Sequence, residues 1–205
     1  MSSKSLELSK PKLLIGEGSE EVLFFNALLK HLNITDIQVE QYGGKQALGN
    51  YLKQVFLRPG FRDIVSLGIT RDADECTKSA FDSTCGSLKN AKLPVPNYPK
   101  EIMGDSPKVS ILILPEYQDS GMLEDVCLEA IKTDKAIQCI DDYFQCVYNT
   151  AQRQPKPKDI SKARIRAWLS SQIEPDKRLG EAAKAGYLPW DSPAFDGIKQ
   201  FLQAL

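Results

Sequence analysis

The sequence predicts an α/β fold in which a mainly parallel sheet is flanked by helices. Short apolar stretches typical of buried strands alternate four times with helical stretches along the first part of the chain. The run at 109–114 is the most apolar in the chain and indicates a central strand. In sheets of this kind ligands bind at the carboxyl ends of the strands, so the residues after each strand are the first candidates for a functional site.

The predicted elements follow in order. The strands are KLLIG, DIQVEQY, DIVSLGIT and VSILILP, and the helices after them are 19–32, 43–57, 73–91 and 122–131. Ser19 is the predicted N-cap of the first helix, with Glu20 and Glu21 in its first turn. The proline-rich stretch 92–108 predicts a loop or a short antiparallel excursion. Further helices are predicted at 135–152, 160–173 and 192–205, the last with Ser192 as N-cap and Pro193 at its first position.

We expect two regions: an α/β core over residues 1–132 and a helical C-terminal extension over 133–205 that packs on it. The formal net charge of −1 gives no overall attraction to nucleic acid or to anionic membrane. A single histidine, His31, and five scattered cysteines without a C-x-x-C pair argue against a zinc site and a disulfide framework. Without an apolar run of membrane-spanning length or a signal peptide, the expected location is the cytoplasm, with no membrane partner.

Acidic residues follow three of the predicted strands. The first strand is followed by Glu17, Glu20 and Glu21, the third by Asp72, Asp74 and Glu75, and the fourth by Glu116, Glu124 and Asp125. An unpaired cluster of carboxylates is unfavourable, and a hard divalent cation such as Mg²⁺ relieves the repulsion while keeping waters that a phosphate can displace. The alternative is that these acids cap helices or lie in their first turns. It explains Glu20 and Glu75 better than a ligand role, is also open for Glu21 and Asp74, and applies equally to Glu124 and Asp125.

The stretches LLIGEGSEEVLFF and IVSLGITRDADE resemble the Toprim domain, and in detail a group of small stand-alone proteins similar to the nuclease domain of the OLD family. The resemblance covers 12–131, and the C-terminal LGEAAKAGYLPWDSPAFDGIKQFL is also similar to that group. It implies a Toprim (Rossmann-like) fold, Glu17 as general base or metal ligand, and Mg²⁺ (or Mn²⁺) bound by further acids: Glu21, Asp72, Asp74, Glu124 and Asp125. One departure is Glu21, where Asp is common.

OLD nucleases carry an ATPase domain that this chain lacks, so the resemblance also implies control by a separate ATPase or a toxin/defence partner, or action without one. OLD-type sites use a lysine at the scissile phosphate, and Lys162 is the candidate. The segment 153–166 contains a single acid, Asp159, and six basic residues including Lys162: Arg153, Lys156, Lys158, Lys162, Arg164 and Arg166. This segment predicts contact with a phosphate backbone or, equally, a solvated helix face. Lys45, after two glycines, is the other candidate for phosphate contact, although the P-loop spacing is absent.

These observations predict Mg²⁺-dependent phosphodiester hydrolysis on DNA or RNA. The alternative is a non-catalytic regulatory protein that binds nucleic acid or a nucleotide and acts with a partner. A third interpretation is a phospho-receiver or phosphatase-like α/β protein with an acceptor aspartate, which also requires a lysine and a hydroxyl after later strands. Trp168 and Trp190 are expected to pack in the interior rather than stack on bases.

Overall fold

The computed structural model describes residues 7–205. A sheet of four parallel strands runs in the order β2-β1-β3-β4, with β1 at Lys12–Gly16, β2 at Ile37–Gln41, β3 at Ser66–Asp72 and β4 at Lys108–Leu114. Helices connect the strands and cover both faces of the sheet. The predicted α/β class, a Toprim-like arrangement of a mainly parallel sheet between helices, is therefore confirmed.

Four helices belong to the strand–helix part of the chain, namely α1 (Ser19–His31), α2 (Leu48–Val55), α3 (Thr77–Asn90) and α4 (Leu123–Ala130). Four follow it, namely α5 (Ala136–Ala151), α6 (Ile160–Ser170), α7 (Leu179–Ala185) and α8 (Asp196–Ala204). The stretch 92–107 is a loop, with one antiparallel bridge between Met103 and Val109. Within residues 7–205, no helix has both the length and the apolar composition that crossing a membrane requires.

The two faces of the sheet build separate hydrophobic cores because alternate side chains of each strand point to opposite sides. Leu14 of β1 packs with α1, α4 and the later helices, whereas Leu13 and Ile15 pack with α2 and α3. The first core includes Phe24 of α1 and Phe195, which precedes α8. Residues from both predicted regions thus share one hydrophobic cluster, while the division at residue 132 stays a prediction.

The C-terminal helices pack closely on the α/β layers. A Cβ atom built on Gly68 of β3 would lie 2.7 Å from Leu205 Cδ1, so the sheet lacks a side chain where the end of the chain crosses it. Gly180 of α7 is similarly close to α1, since a Cβ atom added there would lie 2.6 Å from the carbonyl oxygen of Glu20. Close approach of this kind requires glycine at both positions.

One local prediction was wrong, and one helix was missed. Gly18, not Ser19, is the N-cap of α1, because the extended backbone of Gly18 places its N–H against the side chain of Glu21. Helix α7 was not predicted, although its signals are present in the sequence: Glu181 Oε2 accepts a hydrogen bond from the Arg178 N–H, and Gly186 ends the helix with φ of 84°. Ser192 as N-cap and Pro193 at the first position are confirmed, in a short 3-10 turn before α8.

Candidate functional site

The order of the strands brings two predicted site residues to neighbouring strand ends. In the sheet, β2 lies next to β1 on one side and β3 lies next to β1 on the other. The connections that follow β1 and β3 therefore run in opposite directions from the carboxyl ends of these two central strands. Glu17 directly follows β1, and Asp72 is the last residue of β3. Such a point of divergence is where open α/β sheets form a ligand crevice.

Glu17 is a partly buried carboxylate that is short of hydrogen-bond donors. Its Oε2 atom is buried and meets no donor from the part of the chain that the structure describes. Burial raises the pKa of Glu17 above its ordinary value; Lys45 acts in the opposite direction, and the negative charges of Asp74 and Glu21 add to the rise. The group is therefore held in a state that favours binding a proton or a cation.

Asp72 is the most strongly perturbed carboxylate of the cluster. Its Oδ1 atom accepts a hydrogen bond from the N–H of Leu123, at the start of α4, over 2.9 Å. Burial raises its pKa well above the usual range, and the charges of Glu124 and Glu21 raise it further. The single backbone donor does not offset these effects.

Glu124 lies in the first turn of α4 and faces the same cleft. Burial raises the pKa of Glu124, while Lys162 on α6 lowers it and Glu21 raises it. The cleft, about 920 Å³ in volume, is lined on one side by Glu17, Glu21, Asp72 and Glu124 and on the other by Lys162 and Arg166. The acids that the sequence placed after three strands thus converge, as the parallel sheet requires.

Two other predicted ligands have structural partners. Glu21 Oε2 accepts a hydrogen bond from the Gly18 N–H at 2.9 Å, and Asp125 Oδ2 accepts one from the Met122 N–H at 2.8 Å. Asp125 Oδ1 also accepts a hydrogen bond from the hydroxyl of Ser161 at the start of α6. Both oxygens of Asp125 are therefore engaged, Oδ2 in capping α4 and Oδ1 in connecting α4 to α6, whereas Glu21 still lines the cleft.

Asp74 lines a pocket next to the cleft and not the cleft itself. Its backbone has a left-handed φ of 53° and forms two hydrogen bonds with Gly121, of 2.7 and 2.8 Å. Its side chain forms a 2.6 Å ion pair with Lys45 Nζ and lines a neighbouring pocket with Lys158. The D-x-D motif is thus divided, with Asp72 on the cleft and Asp74 beside a lysine.

Carboxylates are the donors that Mg²⁺ prefers, and the uncompensated Oε2 of Glu17 and the perturbed Asp72 fit a bound cation in chemical type. Among residues 7–205, however, no three His, Cys, Asp or Glu side chains are already arranged to hold a metal ion. The roles of Glu17, Glu21, Asp72, Asp74, Glu124 and Asp125 as ligands therefore stay predictions.

The structure separates the basic residues of 153–166. Lys162 lines both the cleft and the neighbouring pocket, Arg166 lines the cleft, and Lys158 lines only the pocket. Arg164 points to α5, where its guanidinium contacts the two carboxylate oxygens of Asp141 at 2.7 and 2.8 Å. Arg153 and Lys156 are exposed in the turn that precedes α6.

Of the remaining acids named from the sequence, Glu20 lines the cleft but has a structural partner, and Glu75 and Glu116 do not line it. Glu20 Oε2 accepts a hydrogen bond from the Gly180 N–H at 2.8 Å and so connects α1 to α7. Glu116 pairs with Lys100 at 2.5 Å. Glu75 is exposed.

Two cleft residues were missed. Lys177 and Arg178 line the cleft beside the acids, and both precede α7. The only sequence signal was the pair of basic residues in PDKR, and without a prediction of α7 nothing directed this pair towards the strand ends. Trp168 and Trp190 pack as expected, Trp168 with its indole N–H donating to Asp134 Oδ2 over 2.8 Å.

Solved structures similar to this chain include the two that follow, and the first of them shares its fold. The crystal structure of hypothetical protein PH0156 from Pyrococcus horikoshii OT3 is 16% identical, with a TM-score of 0.56, over 95% of this chain and 93% of that one. The C-terminal region of the Xanthomonas campestris pv. campestris OLD protein, phased with mercury, is 15% identical with a TM-score of 0.47 over 96% of this chain and 97% of that one. Among curated proteins, none matches the chain.

A family model matches nearly the whole chain, from residue 11 to residue 205. The match includes β1, the cleft and every helix to α8. The protein therefore belongs to the family described as "Protein of unknown function (DUF3226)".

Proposed function

We propose that this protein is a Mg²⁺-dependent phosphodiesterase that hydrolyses nucleic acid, in the manner that its resemblance to Toprim nucleases implies. The observation that carries the proposal is the convergence of Glu17, Asp72 and Glu124 at the carboxyl ends of the strands, where burial raises their pKa values and neighbouring carboxylates raise them further. Acids left in this condition are typical of functional sites rather than of structural ion pairs.

The residues that would hold Mg²⁺ are Asp72 and Glu124, with Glu17 and Glu21 beside them. When bound, the ion supplies a positive charge that polarises the scissile phosphate and neutralises the repulsion between the acids. Glu17 either contributes to that binding or, through its raised pKa, accepts a proton from the attacking water.

The basic side of the cleft orients the polyanion. Lys162 lies within electrostatic reach of Glu124 and lines the cleft from α6, which supports a contact between its ammonium group and the phosphate under attack. Arg166, one helical turn further along α6, extends the positive surface on the same side. Lys158 and Lys45 add charge in the neighbouring pocket. Binding through these side chains will weaken steeply with salt.

The direct test is cleavage of supercoiled plasmid, linear DNA and RNA by purified protein in Mg²⁺ or Mn²⁺. We expect Asp72→Asn to lower the rate of nicking by more than about 100-fold. In metal sites, loss of a residue that only hydrogen-bonds a metal ligand already lowers activity by up to about 100-fold, and loss of a ligand itself should cost more. The matched control is Asp105→Asn. Asp105 is an exposed acid that precedes β4, at the amino ends of the strands and away from the cleft. Intact substrates with the wild-type protein in both metals would refute a stand-alone nuclease.

Two observations favour the second function, a non-catalytic protein that binds nucleic acid or a nucleotide and acts with a partner. Lys45 already neutralises Asp74, and no metal-ligand group is preformed among residues 7–205. A salt-sensitive binding of DNA or RNA without cleavage, unaffected by Asp72→Asn, would support this function. A separate ATPase or a toxin/defence protein would then supply the activity.

A further inference from the structure

Lys45 lies beside the acids of the candidate site. Its ammonium group lies 2.6 Å from Asp74 Oδ1. Glu17 is within electrostatic reach of both Lys45 and Asp74. A protein cation is thus paired with a residue of the second predicted motif and is close enough to one of the first to affect its charge.

Backbone contacts hold both partners of this ion pair in place. The loop that carries Lys45 is bound to the end of β1, because the N–H groups of Gly43 and Gly44 both donate to the carbonyl oxygen of Glu17, at 3.1 and 3.0 Å. Both glycines have positive φ, of 89° and 101°, so the loop depends on their conformational freedom.

Asp74 is fixed independently of the lysine. Its backbone pairs with Gly121 through two hydrogen bonds, and a Cβ atom on Gly121 would lie 2.8 Å from Pro115 Cδ and 2.9 Å from Asp125 Oδ2. The carboxylate of Asp74 will therefore stay near the strand ends when the side chain at position 45 changes.

The acids form two groups with different compensation. Glu17, Asp72 and Glu124 line the cleft, and among residues 7–205 no ion pair neutralises any of them. Asp74 has Lys45, and Asp125 has the Met122 N–H and the Ser161 hydroxyl. The acids on the cleft side therefore lack a compensating cation, whereas Asp74 has one.

We propose that Lys45 takes the place of a second divalent cation, so that the site binds one divalent ion per chain, on the cleft side. The inference rests on the proposed function, because it presupposes a metal site in the cleft. An ammonium group is a compact charge with three donors, so one group can neutralise Asp74 and still contact a phosphate oxygen of the substrate. Two-metal sites place a second ion for that purpose.

The test counts bound Mn²⁺ by isothermal titration calorimetry and by electron paramagnetic resonance of the free ion. We expect one Mn²⁺ per chain for the wild-type protein. Lys45→Ala should bind two, since removal of the ammonium leaves Asp74 and Glu17 to share an ion that keeps several waters. Lys45→Arg should still bind one, and the double variant Lys45→Ala/Asp74→Ala should return to one.

The outcomes separate this inference from the function on which it rests. Two ions in the wild-type protein, or one in Lys45→Ala, would overturn the inference and leave the metal-dependent function standing. No bound ion in the wild-type protein would overturn the proposed function and the inference with it. Circular dichroism checks the fold of each variant, and Lys45→Gln replaces Lys45→Ala if that protein does not fold.

Discussion

Glu40 on β2 and Glu17 at the end of β1 are partly buried carboxylates on adjacent strands, and their surroundings differ. Burial acts to raise the pKa of Glu40, but hydrogen bonds from Arg58, Tyr51 and Gln38 outweigh it and hold that pKa below its usual value. The guanidinium of Arg58 contacts both oxygens of Glu40, at 2.5 and 2.8 Å.

The cleft has the opposite balance. Burial raises the pKa of Glu17, and neighbouring carboxylates raise it further. Asp72 has one backbone donor against several negative charges. Burial alone therefore does not distinguish a structural acid from a functional one. The supply of donors does, because a satisfied acid stabilises the fold and an unsatisfied acid is available to a ligand.

The largest effect on stability is expected from breaking the satisfied cluster, which is Glu40 with its donors Arg58, Tyr51 and Gln38. Arg58→Ala leaves Glu40 as a charge without its cation, and we expect a loss of about 3 kcal/mol in the free energy of unfolding, the low end for a broken buried pair. Urea denaturation measures it, with exposed Arg62→Ala as the control, for which a change within about 0.5 kcal/mol is expected. An equal loss in both variants would contradict the role of the ion pair.

Supplying a cation to the unsatisfied cluster, which is Glu17, Asp72 and Glu124 of the cleft, should have a slightly smaller effect on stability. Mn²⁺ at about 100 times its dissociation constant is expected to stabilise the wild-type protein by about 2.7 kcal/mol, because only the folded state holds the acids together. Asp72→Asn should remove this gain, while Asp105→Asn should retain it. Thermal unfolding with and without Mn²⁺ measures the difference, and an equal gain in Asp72→Asn would place the ion elsewhere.

Removing one charge from the unsatisfied cluster should stabilise the metal-free protein. For Asp72→Asn we expect a gain of about 0.5–2 kcal/mol at neutral pH, as for other stabilising substitutions at functional sites. Urea denaturation without metal measures it. A loss of stability would show that Asp72 is structural, as Glu40 is.

Asp72→Asn should also change how the free energy of unfolding depends on pH. The raised pKa values of Glu17, Asp72 and Glu124 mean that the folded state binds protons more tightly than the unfolded state. Their unfavourable contribution is complete above the raised values and disappears as pH falls towards the ordinary carboxyl range near pH 4. Between these limits, the part of the stability due to this cluster should rise with falling pH in the wild-type protein and rise less in Asp72→Asn.

The smallest effect extends the comparison to cations. Arg166 faces the cleft, and within residues 7–205 no acid lies within ion-pair distance of it, whereas Arg164 is paired with Asp141. Arg166→Ala should reduce the slope of log affinity against log salt for nucleic acid by about 1, the value for one phosphate contact. Arg164→Ala should leave the slope unchanged. Fluorescence anisotropy over a salt series measures both slopes, and equal slopes would refute the assignment of Arg166.

The convergence of Glu17, Asp72 and Glu124 was predictable because carboxyl ends of parallel strands share one edge, and strand stretches are short and apolar. The hydrogen bond from Ser161 to Asp125 could not be predicted, because the two residues are far apart in sequence and only the packing of α6 on α4 brings them together. The separation of Asp72 from Asp74 also escaped prediction. It follows from the left-handed backbone at Asp74 and its bridge to Gly121.

The sequence by itself determined the α/β class, the order of the strands along the chain and the identity of the acids after them, because hydrophobic periodicity and spacing are local properties. Only the tertiary structure decided which charges are compensated. Lys45 reaches Asp74, Arg58 reaches Glu40 and Arg164 reaches Asp141, while Glu17 and Asp72 are left with the cleft. The free energy of a charge depends on its burial and on partners brought from distant parts of the chain, and both are set when the layers pack.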